Sequence, residues 1–125
     1  MHRSRLTAAL IDVPRGHYNR ETTFWSEALG ATIDRDTEDP DYAEFGEVLP
    51  GLIMMVQRVD DQARVHLDIE TDDVDAEVAR LEALGATRVQ QVKTWWVMRD
   101  PAGLLFCVVR VQNPEAFERG AKTWT

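Results

Sequence analysis

Residues Arg64–Glu70 alternate strictly, with Val65, Leu67 and Ile69 on one side and His66, Asp68 and Glu70 on the other. A period of two is the signature of a strand. Behind it, Val74, Val78, Leu81 and Leu84 follow at spacings that predict an amphipathic helix. Asp72 and Asp73 supply its acidic start and Gly85 its stop. Thr87–Val92 and Lys93–Met98 read as strands, Asp100-Pro101-Ala102-Gly103 as a turn and Leu104–Val111 as a last strand. Upstream, Leu6–Val13 is a short apolar strand ended by Pro14, and a helix runs from about Asn19 to Leu29 with Gly30 as its stop. Trp25, Ala28 and Leu29 share a side of that helix, with Trp25 in the core and Phe24 beside it. Ala31–Asp34 leads into the acidic loop Asp36–Asp41, then Tyr42–Phe45 and the mostly buried strand Leu52–Val59.

The two halves match each other. EALGAT occurs at Glu27–Thr32 and again at Glu82–Thr87, and GLIMMVQRV at Gly51–Val59 answers GLLFCVVRV at Gly103–Val111. Two matches in the same order mark a duplicated unit that buries its apolar face against its twin. Each copy reads as β-α-β-β-β, module one at about 5–60, module two at about 64–112, with a tail at 113–125. Asp60–Ala63 is the joint between them. At 125 residues the chain suits one domain.

A net charge of −8 with no basic stripe argues against a nucleic-acid partner. The start MHRSR has no apolar run behind it and does not read as a signal peptide. No stretch approaches the ~18 apolar residues of a membrane span. The single cysteine, Cys107, excludes an internal disulfide and fits a cytoplasmic location. Uncovered sheet edges and Trp124 in the polar tail point to a homodimer, with 116–125 as the contact.

The run VHLDIETDDVDAEVARLEALGAT, followed by WWVMRDPAGLLFCVV, resembles the second module of glyoxalase-like proteins of the vicinal oxygen chelate superfamily. That superfamily includes glyoxalase I, extradiol dioxygenases and bleomycin-resistance proteins. The resemblance covers nearly the whole chain, more weakly in residues 1–60, and excludes the tail. It implies an α+β fold in which two tandem βαβββ modules form an incomplete barrel, a cup with helices outside. In many members the cup holds a small ligand and a divalent metal. The metal-ligand positions implied by the resemblance fall on Ala8, His66 and Cys107, with a further acid position at Leu105. Only His66 and Cys107 carry a donor there. In module one, Ile53, Met55 and Gln57 share the inward face.

The expected ligand-binding residues are therefore Gln57, His66, Asp68, Cys107 and the adjacent Trp95 and Trp96. Alternation sends one tryptophan to the cup and the other beneath the helices. Val65, Leu67, Ile69, Phe106 and Val108 are also expected beneath the helices. His66, an accessible strand side chain, is the candidate catalytic acid or base. Asp68 shares its face and either orients it or repels an anion. Cys107 reads as a small core hydrophobe. His2 and His17 lie in a loose terminus and a turn. The stretch Asp34–Asp41 reads as a solvated loop, able to act as a flap.

One imidazole, one amide and one thiol (His66, Gln57 and Cys107) form a poor set for a hard divalent ion, so the expectation is no cofactor. The expected function is a small-molecule-binding protein holding a flat, largely apolar ligand. The alternatives are a divalent-metal-dependent lyase, isomerase or dioxygenase, and a purely structural or dimerising module.

Overall fold

A computed structural model describes residues 1–35 and 39–125. The chain divides into two compact units, one made of Ala8–His66 and the other of Met1–Thr7 with Leu67–Thr125.

The Ala8–His66 unit takes most of strand β1 (His2–Pro14), a short 3-10 turn at Arg15–His17, helix α1 (Tyr18–Leu29) and strands β2 (Tyr42–Leu49) and β3 (Leu52–Val59). β1 and β3 run parallel, with Ala8 opposite Ile53 and Asp12 opposite Gln57. β2 pairs antiparallel to the other edge of β3. Ile11, Val13, Tyr18, Ala43, Phe45 and Val56 form the core, with Trp25 and Met54 packed on it. α1 stops at Gly30, where φ is +62°, a backbone conformation that glycine adopts without a Cβ penalty.

Ala31–Asp34 forms no strand and keeps a single bridge from Asp34 to Glu44. Two expectations change here. β3 is only half-buried, with Val56 alone fully covered, because α1 shields just one of its faces. Phe24 is exposed, and the buried α1 residues are Tyr18 and Thr22. The expected acidic loop falls in part on Asp36, Thr37 and Glu38, which lie outside the described residues.

The larger unit repeats the plan. After β4 (Arg64–Thr71) come α2 (Val74–Ala83), β5 (Thr87–Val92), β6 (Trp95–Arg99) and β7 (Leu105–Arg110). β4 runs parallel to β7 with Leu67 opposite Phe106, as β1 does to β3. β6 pairs antiparallel to β7, and β5 to β6. The chain is thus α+β; the larger unit has the β-α-β-β-β order read from the sequence, whereas the Ala8–His66 unit has β-α-β-β. α2 is capped by Asp73, whose carboxylate accepts from the Ala76 N–H at 3.0 Å. Its core is Val78, Met98, Phe106 and Val108, with Ile69, Leu81 and Trp96 packed against it. The Asp100 carboxylate closes the β6–β7 turn by accepting from the N–H groups of Ala102 and Leu104.

The alternation in β4 is real, but its burial is inverted. Val65 is 52% exposed, while His66 and Glu70 on the polar face are buried. Glu70 is buried because every demand of its carboxylate is met. It pairs with Arg5 at 3.2 Å and accepts from the N–H groups of Gln112 and Asn113. Leu84, expected on the buried side of α2, projects into solvent.

The tail is also built in. Asn113 caps helix α3 (Pro114–Gly120), which buries Phe117, and β8 (Lys122–Trp124) pairs with His2–Ser4 of β1. Trp124 donates its indole N–H to the Ser4 hydroxyl at 2.8 Å, and the Arg80 guanidinium lies 3.9 Å above its ring. Trp124 is thus half-buried against its own unit. His2 is not loose, since its Nε2 donates to buried Glu77 at 2.8 Å.

Burial pushes the Glu77 carboxyl up, but hydrogen bonds from Arg80, His2 and Ser4 outweigh it and hold it below its ordinary value of 4.5. Asp72 is likewise lowered, first by the Arg3 backbone N–H. A depressed carboxyl stabilises fully above its unfolded value and loses that contribution as pH falls through the folded value. Denaturant unfolding should therefore show stability declining below about pH 4.5, with a shallower decline in Glu77→Gln. An identical slope in wild type and variant would remove Glu77 from the account. Among the described residues no helix is long and apolar enough to cross a membrane.

Candidate functional site

Residues paired in register share a face of the sheet. In the Ala8–His66 unit, Asp12, Gln57 and Tyr42 therefore line up in one row across β1, β3 and β2. They lie on the face opposite the α1 core, since Ile11, Val13, Ala43 and Val56 occupy the other. The adjoining rows of this face bring Leu10 with Met55, then Ala8 with Ile53. An apolar wall thus ends in a polar row.

The row is hydrogen-bonded. Gln57 Nε2 donates to the Tyr42 hydroxyl at 2.9 Å. His66 Nδ1 lies 2.7 Å from Asp12 Oδ2, and Arg64 Nε reaches the same oxygen at 3.4 Å. An ionised carboxylate can only accept, so His66 donates to it from Nδ1. Asp12 is 2% exposed, and its Oδ1 has no hydrogen-bond partner among the described residues. Leaving a buried carboxylate oxygen unmatched costs about 1–3 kcal/mol or more.

Sequence reasoning found Gln57 and His66 but missed Asp12, Tyr42 and Arg64. Asp12 carried a usable signal, being the one acid inside the apolar run Leu6–Val13. His66, expected to be accessible, is buried, with Asp12 as its partner.

The remaining candidates lie in the larger unit. Asp68 on β4 stands opposite Cys107 on β7, which stands opposite Val97 on β6. Trp96 packs on the α2 core beside Val108, beneath the Arg88 guanidinium. Alternation then turns Trp95 to the other face, the one shared by Asp68 and Cys107. Cys107 is a half-buried free thiol. Glu70 and Asp12 occupy corresponding places in the repeat, yet all of Glu70's partners are supplied by the fold whereas Asp12 keeps an unmatched oxygen. Of these two carboxylates, Asp12 is the one with an oxygen left without a partner among the described residues.

A divalent metal fits the Asp12 row poorly. Ala8 and Leu105, at two of the positions implied by the resemblance, bear no donor atom. Asp12 already shares its Oδ2 between His66 and the Arg64 cation. A dication there would face a guanidinium at close range.

The profile of the glyoxalase-like domain family matches residues 9–109. The chain belongs to that family. Solved structures agree on the fold. A hypothetical protein from Bacillus halodurans superposes with a TM-score of 0.67 at 10% identity, over 88% of this chain and 96% of the other. A methylmalonyl-CoA epimerase from Mycobacterium tuberculosis gives 0.57 at 15% identity, over 89% and 90%. The Mn(II)-bound glyoxalase from Novosphingobium aromaticivorans gives 0.58 at 20% identity, over 90% of this chain but only 43% of that longer one. No curated protein matches at the sequence level. These likenesses show the glyoxalase-like fold, a scaffold that carries several chemistries.

Proposed function

We propose that this glyoxalase-like protein binds a flat, largely apolar small molecule without a catalytic metal. In this reading the ligand lies on the half-buried Ile53 and Met55 and is anchored by Asp12, Gln57, Tyr42 and His66. The observation that carries it is the buried Asp12 Oδ1 without a partner at the end of an apolar wall. Such an oxygen calls for a hydrogen-bond donor, so the ligand should carry a hydroxyl or N–H on an aromatic or similarly flat body. The Asp12–His66 pair also gives the site a base able to take that proton. A metal-dependent lyase, isomerase or dioxygenase is the competing reading, and the donorless positions Ala8 and Leu105 weigh against it. A cytoplasmic homodimer belongs to the same proposal, supported by the single cysteine and by exposed Phe24, Leu49 and Leu84.

Calorimetry with 2-naphthol and 2-methoxynaphthalene tests the reading. The two probes share a ring system, but only the first donates a hydrogen bond. Chelator-treated protein should bind 2-naphthol at least about tenfold more tightly, a difference of about 1.4 kcal/mol. His66→Gln should weaken that binding while the protein stays folded by circular dichroism. Equal affinity for the two probes would contradict it.

A further inference from the structure

The larger unit contains an open groove of about 680 Å³ unrelated to the Asp12 row. That size falls within the range of small-molecule sites. Its wall includes Leu67, Ile69 and Phe106, on the α2 side of the sheet, and the tail closes it with Trp124. Leu6 and Leu104, also lining it, are 47% and 48% exposed. Apolar side chains are thus held open to water inside a concavity, where a packed core would have covered them.

The cations of the lining are paired, with one exception. Arg80 makes two hydrogen bonds to Glu77 and lies over the Trp124 ring. Arg5 is paired with buried Glu70. Asp100 Oδ1 accepts the two N–H groups that close the β6–β7 turn. With Arg5 paired to Glu70 and Arg80 to Glu77, Lys122, exposed on β8, is the one cation of the lining left without an ion-pair partner among the described residues.

We propose that this groove is a second ligand site, for a monocarboxylate with an apolar body. The carboxylate sits at Lys122, with Arg80 nearby, and the hydrocarbon lies on Leu6, Leu67, Ile69, Leu104 and Phe106. Burying that hydrocarbon covers the exposed leucines, and the unpaired ammonium gains a partner. Trp124 forms one wall, so occupancy changes the environment of its indole. The tail therefore acts as part of a binding surface. This assignment is independent of the Asp12 row, because none of its lining residues belongs to that row.

The test is fluorescence and calorimetric titration of the full chain with decanoate, 1-decanol and decyltrimethylammonium. Decanoate is expected to bind one per chain and at least about tenfold more tightly than either of the others. Trp124→Phe should abolish the fluorescence change but keep calorimetric binding. Lys122→Ala should weaken decanoate about tenfold and leave decanol unchanged. His66→Gln should leave all three titrations as they are, which separates this site from the Asp12 row. Equal binding of decanoate and decanol, or no loss in Lys122→Ala, would overturn the charge assignment and with it the proposal. So would failure of decanoate to bind together with a dimer that Leu104→Glu converts to monomer, because the groove would then be a contact between two copies of the chain.

Discussion

Phe117→Ala should lower the stability of the protein by about 3–5 kcal/mol, as other large aromatic truncations in cores do. The side chain is 2% exposed on α3, and the Arg3 guanidinium lies 4.9 Å over its ring. Its loss would empty a cavity under the tail and release the α3–β8 segment that pairs with His2–Ser4. For a chain of this size the midpoint of thermal unfolding should fall by roughly 10–20 °C. Calorimetry checks it, and a drop of only a degree or two would mean that the tail is an appendage to the fold.

Asp12→Ala is the second large effect. It deletes the hydrogen-bonded partner of His66 and a contact of Arg64 in one step. A hydrogen bond to a charged group contributes about 1.5–3 kcal/mol, so unfolding in urea should move by about that much. The same substitution should erase the preference for 2-naphthol over 2-methoxynaphthalene. Asp12→Asn keeps the shape and serves as the control for folding. If Asp12→Asn binds 2-naphthol as the wild type does, the carboxylate is not the anchor.

How much of this could be read beforehand varied with the kind of signal. α2 and β4 were legible because their apolar and polar positions follow clean periods, and the repeat located β3 and β7 within a residue or two. Burial was less legible. Val65 fits an apolar stripe but lies open, because hydrophobic spacing does not say how far α2 reaches along the strand. Glu70 is buried against its type because partners distant in sequence, Arg5 and the N–H groups of Gln112 and Asn113, satisfy it. The same non-local bonding hid His2 and Trp124, whose partners Glu77, Ser4 and Arg80 lie far away along the chain.

The candidate site divides in the same way. Gln57 and His66 followed from strand alternation, and Trp95 and Trp96 were separated only once the α2 core was visible. Asp12 is hidden within an apolar run, because its partner His66 lies on another strand far along the chain. Tyr42 enters the row only through the β2–β3 register, which the bulge between Glu44 and Gly46 makes unreadable from alternation.

The central claim is a ligand site that works without a metal. It is tested most directly by metal analysis of protein purified without chelator, followed by 2-naphthol titration before and after stripping with EDTA. The account predicts well under one divalent ion per chain and the same 2-naphthol affinity in both preparations. One ion per chain, with binding or a glyoxalase- or dioxygenase-type activity lost on stripping and restored by Mn²⁺, would contradict it.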